Sequence, residues 1–175
     1  ISSPITGLPD MYSEGQGGLL DIAIAPDFTK TREIFLSFSE RYNKGIGTSV
    51  FKARLSDDLT SLENGQVIFR QNMTAGGGRH FGSRLVFDRY GHLFVTTGDR
   101  GTMSEEAQNP KSHIGKVLRI TRQGTAAPGN PMLPDWAPLP PVDAIATTMP
   151  TSVSGIGVRI TSGSLNDPNC ATTRI

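Results

Sequence analysis

Cys170 is the single cysteine in a chain of 175 residues, which excludes an internal disulfide and any cysteine-rich zinc site. Charge of one sign is also missing. Lys and Arg total 17 against 16 Asp and Glu, a formal net charge of +1, and the basic residues are scattered singly. No basic stripe interleaved with aromatics marks a nucleic-acid surface. No apolar run approaches the ~20 residues that span a bilayer. The opening Ile1-Ser2-Ser3-Pro4 is neither an initiator methionine nor a signal peptide, and is expected to follow a beginning that this sequence does not contain. Localisation therefore has no signal in the residues themselves.

Turn-forming residues are plentiful. Twenty Gly and 12 Pro against 36% hydrophobic residues point to short strands joined by many turns, in a chain long enough to bury a core. Candidate strands fall at 19–25, 33–39, 49–55, 66–70, 84–87, 93–97 and 116–121, separated by Gly, Pro, Asp and Asn clusters. That regular spacing is the all-β pattern. A repeat underlies it. Gly17-Gly18-Leu19-Leu20-Asp21 to Pro26-Asp27, followed by Ile34-Phe35-Leu36-Ser37, shares its plan with Gly82 to Asp88 followed by Leu93-Phe94-Val95-Thr96. The offset of roughly 60 residues is a little longer than common propeller repeats and fits blades with longer loops.

The second of these hairpins carries the chemistry. Leu85 and Phe87 project to one face, Leu93 and Val95 likewise, and Asp88-Arg89-Tyr90-Gly91 is a polar turn closed by glycine. This alternation places His80, before the first strand, and Asp99, after the second, at the same end of adjacent strands. An imidazole beside a carboxylate is suited to act as a general base with its orienting partner. Without further context, His80 reads more readily as a surface or turn residue and Asp99 as turn chemistry. His92 falls in the turn, and His113 reads as structural. Residues 76–78, three glycines, lack the Lys and Ser/Thr pair of a phosphate loop and read as a loop leading into a strand. Ser104-Glu105-Glu106-Ala107-Gln108 reads as one helical turn with acidic residues near its start, or as a solvated loop.

The ordered motifs are similar to those of the soluble pyrroloquinoline quinone (PQQ) dependent sugar dehydrogenases, the glucose/sorbosone dehydrogenase family, and within it the aldose sugar dehydrogenase branch. Gly7-Leu8-Pro9 is followed by Gly15-Gln16-Gly17-Gly18-Leu19-Leu20-Asp21 through Pro26-Asp27-Phe28, then by His80-Phe81-Gly82 through Arg84-Leu85-Val86-Phe87-Asp88. Gly98-Asp99, Ala107-Gln108-Asn109-Pro110 and His113-Ile114-Gly115-Lys116-Val117-Leu118-Arg119-Ile120 complete the series. The resemblance implies a six-bladed β-propeller, of which residues 1–123 would form roughly two to two and a half blades. It implies oxidation of an aldose at C1 to a lactone, with PQQ as hydride acceptor, calcium as companion ion and an external electron acceptor. His80 resembles the catalytic base, Asp99 the carboxylate bonded to it, and Gln16 a polar contact to substrate or cofactor. Arg79 and Arg100 are the cations near enough to meet an anion there, and no residue is assigned to a metal. The family works in the periplasm or outside the cell.

The chain departs from the family toward its end. The Arg and Lys cluster and the calcium loop expected from later blades have no counterpart here, and two arginines are a poor substitute. Family-like text is expected to stop near residue 137. Residues 124–175 read as a poorly ordered tail rich in Pro, Ser, Thr and Gly, consistent with a truncated or frameshifted reading of a longer gene. Little or no dehydrogenase activity is expected of the isolated chain, and exposed blade edges would favour self-association. A non-catalytic propeller-type binding module and an inert truncated product are the alternatives.

Overall fold

The computed structural model describes residues 4–130. Over that span the chain is almost wholly β, in two antiparallel sheets with neighbours in chain order. The first comprises β1 (Leu19–Ile24), β2 (Glu33–Tyr42), β3 (Gly45–Leu55) and β4 (Leu62–Arg70), and the second β5 (Gly82–Phe87), β6 (Leu93–Thr97) and β7 (Val117–Ile120). All seven expected strands are present. The two hairpins of the repeat, β1 with β2 and β5 with β6, open the two sheets in the same way.

β2 and β3 run longer than their apolar text implies. Asn43 and Lys44 both adopt left-handed φ, 48° and 62°, so the hairpin turns within two residues and pairs Tyr42 with Gly45. Such a turn matches the right-handed twist of the strands it joins. Gly47 leaves room for the Tyr42 ring, which lies across it: a Cβ there would meet the Tyr42 hydroxyl at 2.3 Å. A single helical turn, α1 (Phe28–Thr31), links β1 to β2 and ends on a left-handed Arg32. It is too short for a periodic signal. Ser104–Gln108 forms one 3-10 turn.

β2 is buried on both faces, which fixes its place at the centre of the packing. Phe35 faces the second sheet and, with Val50, Ile68 and Phe69, meets Leu85, Leu93, Val95, Leu118 and Ile120. Leu36 and Phe38 point the other way and pack with Phe51, Ala53, Leu62 and Met11. A fully buried leucine or phenylalanine contributes about 1.5–3 kcal/mol, so the seam between the sheets is the main cohesive element. β1 leaves Ile22 and Ile24 exposed, and β5 leaves Val86 exposed.

The expected tail begins in ordered packing. Ala127 is buried and its amide donates to the Arg119 carbonyl at 3.2 Å. Gly124, at φ 83°, lies so close to β4 that a Cβ would stand 1.8 Å from the Ile68 carbonyl oxygen. The rest of the expected tail, from residue 131 on and including Cys170, lies outside the described residues.

Candidate active site

Two strand ends cross at close range, and two glycines allow it. A Cβ on Gly98 would lie 2.0 Å from the His80 carbonyl oxygen, and one on Gly82 would lie 2.7 Å from the Gly98 nitrogen. The Gly98 amide donates to the Phe81 carbonyl at 2.9 Å, and the Arg100 amide to the His80 carbonyl at 3.2 Å. His80 itself is held at φ 54°, in the left-handed region that a non-glycine residue occupies at a cost of about 1–3 kcal/mol. Only surrounding contacts keep it there. Its amide donates to Gln16 Oε1 at 2.8 Å, and the Gln16 amide in turn donates to the Gly78 carbonyl at 2.6 Å.

The crossing brings His80 Nδ1 to 2.8 Å from Asp99 Oδ1. The Gly101 amide donates to the same carboxylate oxygen at 2.8 Å. These two donors, the Gly101 amide first and His80 second, outweigh desolvation and hold the Asp99 carboxyl below its ordinary range. An ionised carboxylate only accepts, so Nδ1 carries the hydrogen, and in the neutral form of the ring Nε2 is then the nitrogen with the lone pair. Nε2 has no hydrogen-bond partner among the described residues, and the His80 side chain is half exposed. The geometry suits an imidazole that accepts a proton from outside.

Arg79 and Arg100 occupy different surroundings. Arg100 is fully buried, its guanidinium 3.6 Å above the Phe81 ring. It donates to the Arg79 carbonyl, and to the Gly77 carbonyl at 2.7 Å, fastening the glycine loop beneath His80. Arg79 is exposed, with its Nε over Gly101. Both line a cleft of about 440 Å³ with Tyr12, Glu14, Gly77 and Thr102. The other two histidines lie apart. His92 sits within a cluster of Asp88 and Arg119, and buried His113 accepts the Asn72 amide on Nδ1 at 3.1 Å.

Sequence reading missed the groups that support this loop from the first sheet. Ser37 Oγ donates to the Ser83 carbonyl at 2.6 Å, Thr48 Oγ1 donates to the Phe81 carbonyl at 2.8 Å, and Asp21 Oδ2 accepts the Leu85 amide at 2.8 Å. The available signal was the run of hydroxyl residues at alternate positions 37 and 39 of a strand otherwise rich in large apolar residues.

Residues 1–142 match the family described as Glucose / Sorbosone dehydrogenase. The chain belongs to that family, and the match extends a few residues past the expected end of family-like text. It is 43% identical over 134 residues to aldose sugar dehydrogenase YliI of Escherichia coli (strain K12), an alignment covering 76% of this chain and 36% of that protein. Among solved structures, a glucose dehydrogenase is 45% identical with a TM-score of 0.72, over 77% of this chain and 42% of the other. The PQQ-bound form of aldose sugar dehydrogenase from Streptomyces coelicolor is 29% identical with a TM-score of 0.62, covering 71% of this chain and 36% of that one. The chain spans about a third of the length of the curated relatives it matches, 36% and 34%.

Proposed function

We propose that this chain is the base-bearing portion of a quinone-dependent aldose dehydrogenase, with its two sheets as neighbouring blades of a six-bladed β-propeller. The observation that carries this reading is the His80 Nδ1 to Asp99 Oδ1 contact of 2.8 Å with Nε2 free. When bound, PQQ would supply the hydride acceptor. The described residues fit the proton-accepting half of that chemistry and not the holding of the quinone. Its three carboxylates call for several cations, whereas Arg100 is committed to two backbone carbonyls and Arg79 stands alone. Holding PQQ, and calcium with it, falls to parts of the fold outside the described residues, and the isolated chain oxidises sugar poorly.

The proton step follows from the residues present. Losing hydride from C1 of an aldose is easier when the C1 hydroxyl proton leaves as well, since the product is then a neutral lactone. Nε2 of His80 takes that proton, and Asp99 stabilises the imidazolium while fixing the ring. The hydride carries two electrons away from C1; it would be accepted by bound PQQ, and an external acceptor would receive the electrons in turn. Gln16, bonded to the His80 amide, sets the height of the base, and Arg79 and Arg100 border a neighbouring cleft whose lining does not include His80 or Asp99, a place for substrate or cofactor to approach. Ile22 and Ile24, on the side of the first sheet turned away from the second, and Val86, on the far side of the second sheet, mark two faces that flanking blades would cover and that, if left bare, would favour self-association. By its family resemblance, the whole protein is expected to work in the periplasm or outside the cell.

The test is a chimera in which this chain replaces the corresponding part of the Escherichia coli aldose sugar dehydrogenase, supplied with PQQ, Ca²⁺, glucose and a redox dye. Dye reduction is expected, and His80→Ala should lower it about 10²–10⁴-fold, the range for loss of a general base. A chimera that binds PQQ and oxidises glucose equally well without His80 sinks the proposal. Sugar binding without quinone would favour a binding module instead.

A further inference from the structure

Why His80 stays in a left-handed backbone at all is answered from the neighbouring sheet. The register between β5 and β6 shifts between Gly82 and Leu85, and both Gly82 and Ser83 have positive φ, 74° and 92°. A bulge of this kind removes backbone groups from the ladder and turns them sideways. Here they turn into the first sheet. The Ser83 carbonyl meets Ser37 Oγ at 2.6 Å and the Phe81 carbonyl meets Thr48 Oγ1 at 2.8 Å. Ser37 and Thr48 are both fully buried. Since Asp21 pairs with Ser37, the carboxylate that accepts the Leu85 amide belongs to the same row.

These are directional bonds between buried groups with little alternative solvation, so removing a hydroxyl leaves a buried carbonyl short of its donor. The Phe81 carbonyl is the pivot. It also accepts the Gly98 amide at 2.9 Å, so Thr48 and the strand that leads to Asp99 grip the same atom, one residue after His80. With His80 taken as the proton acceptor proposed above, we infer that Thr48 and Ser37 are positioning residues. By pinning the bulged lead of β5 to the adjacent sheet, they set the imidazole against Asp99. Neither touches the reacting groups.

The test uses the 175-residue chain and reads the His80 Nδ1 proton by NMR, through its exchange with water. In the parent that proton is expected to be protected by Asp99. Thr48→Val and Ser37→Ala should speed its exchange about fivefold or more, the effect of losing one net hydrogen bond. Thr48→Ser and Ser37→Thr, which keep the hydroxyl, should restore protection. Thr48→Val is the milder change, because the Phe81 carbonyl retains the Gly98 amide. Ile120→Val, a core truncation at a residue that makes none of the row's hydrogen bonds, should lower thermal stability without altering the His80 signal. If the parent shows the protected proton and Thr48→Val and Ser37→Ala leave its exchange unchanged, the positioning role is refuted while the His80 and Asp99 pair stands. If the parent shows no protected Nδ1 proton, the pair itself fails and the inference with it.

Discussion

Replacing Gly98 with alanine probes the crossing on which the site depends. The new Cβ would lie 2.0 Å from the His80 carbonyl oxygen and 2.6 Å from its carbon. Carbon and oxygen rest at about 3.3–3.6 Å even in the close contacts of paired strands, so the two backbones must part by more than 1 Å, roughly. Two hydrogen bonds span that gap, Gly98 amide to Phe81 carbonyl at 2.9 Å and Arg100 amide to His80 carbonyl at 3.2 Å. Losing both costs about 2 kcal/mol, and overpacking adds about 1–3 kcal/mol. The reduced freedom of the unfolded chain returns about 0.4–1 kcal/mol. A net loss of about 2–4 kcal/mol follows, read by urea denaturation of the 175-residue chain under circular dichroism. Gly76→Ala is the matched control. A Cβ there meets nothing within 4 Å and its φ is not positive, so its stability should stay level or rise by about 0.4–1 kcal/mol. Gly98→Ala within about 0.5 kcal/mol of the parent, the scatter of ordinary surface changes, would refute the close crossing.

Two further outcomes follow from buried groups. Burial first, and the Lys116 charge second, push His113 down to about 3, so the folded chain refuses a proton that the unfolded chain takes below about pH 6.5. Stability should therefore fall as pH drops from there toward 3, by about 1.4 kcal/mol per unit. His113→Leu should flatten that slope, and an equally steep slope in the variant would remove His113 as its cause. Gly124→Ala sets a Cβ 1.8 Å from the Ile68 carbonyl at φ 83°, and should destabilise the chain by about 2 kcal/mol or more. An unchanged midpoint would mean that residues 124–130 do not pack on β4.

Much of this fold was legible because strand signals are local. Alternating apolar residues at 85, 87, 93 and 95 and the turn at 88–91 sufficed to place the second hairpin and, with it, His80 near Asp99. Less legible were features set by contacts between distant segments. Asn43-Lys44 is a weak turn signal, since glycine is absent from both left-handed positions, and the place of Gly47 under the Tyr42 ring shows only once Tyr42 is paired with Gly45. Arg100 read as a cation facing the site because its sequence position says nothing of Phe81 or of the Gly77 and Arg79 carbonyls that hold it. Ser37 and Thr48 carry no motif at all. Their role arises from a bulge in β5, and a bulge is visible only once the register of β5 and β6 is known.

The central claim is that Asp99 orients His80 with Nε2 free to take a proton. Nitrogen NMR of the His80 ring, at a pH above the ordinary imidazole range, measures this directly. Hydrogen on Nδ1 and a bare Nε2 are expected in the parent chain, with the preference lost in Asp99→Asn. A parent ring protonated on Nε2, or one whose tautomer is indifferent to Asp99→Asn, would contradict it.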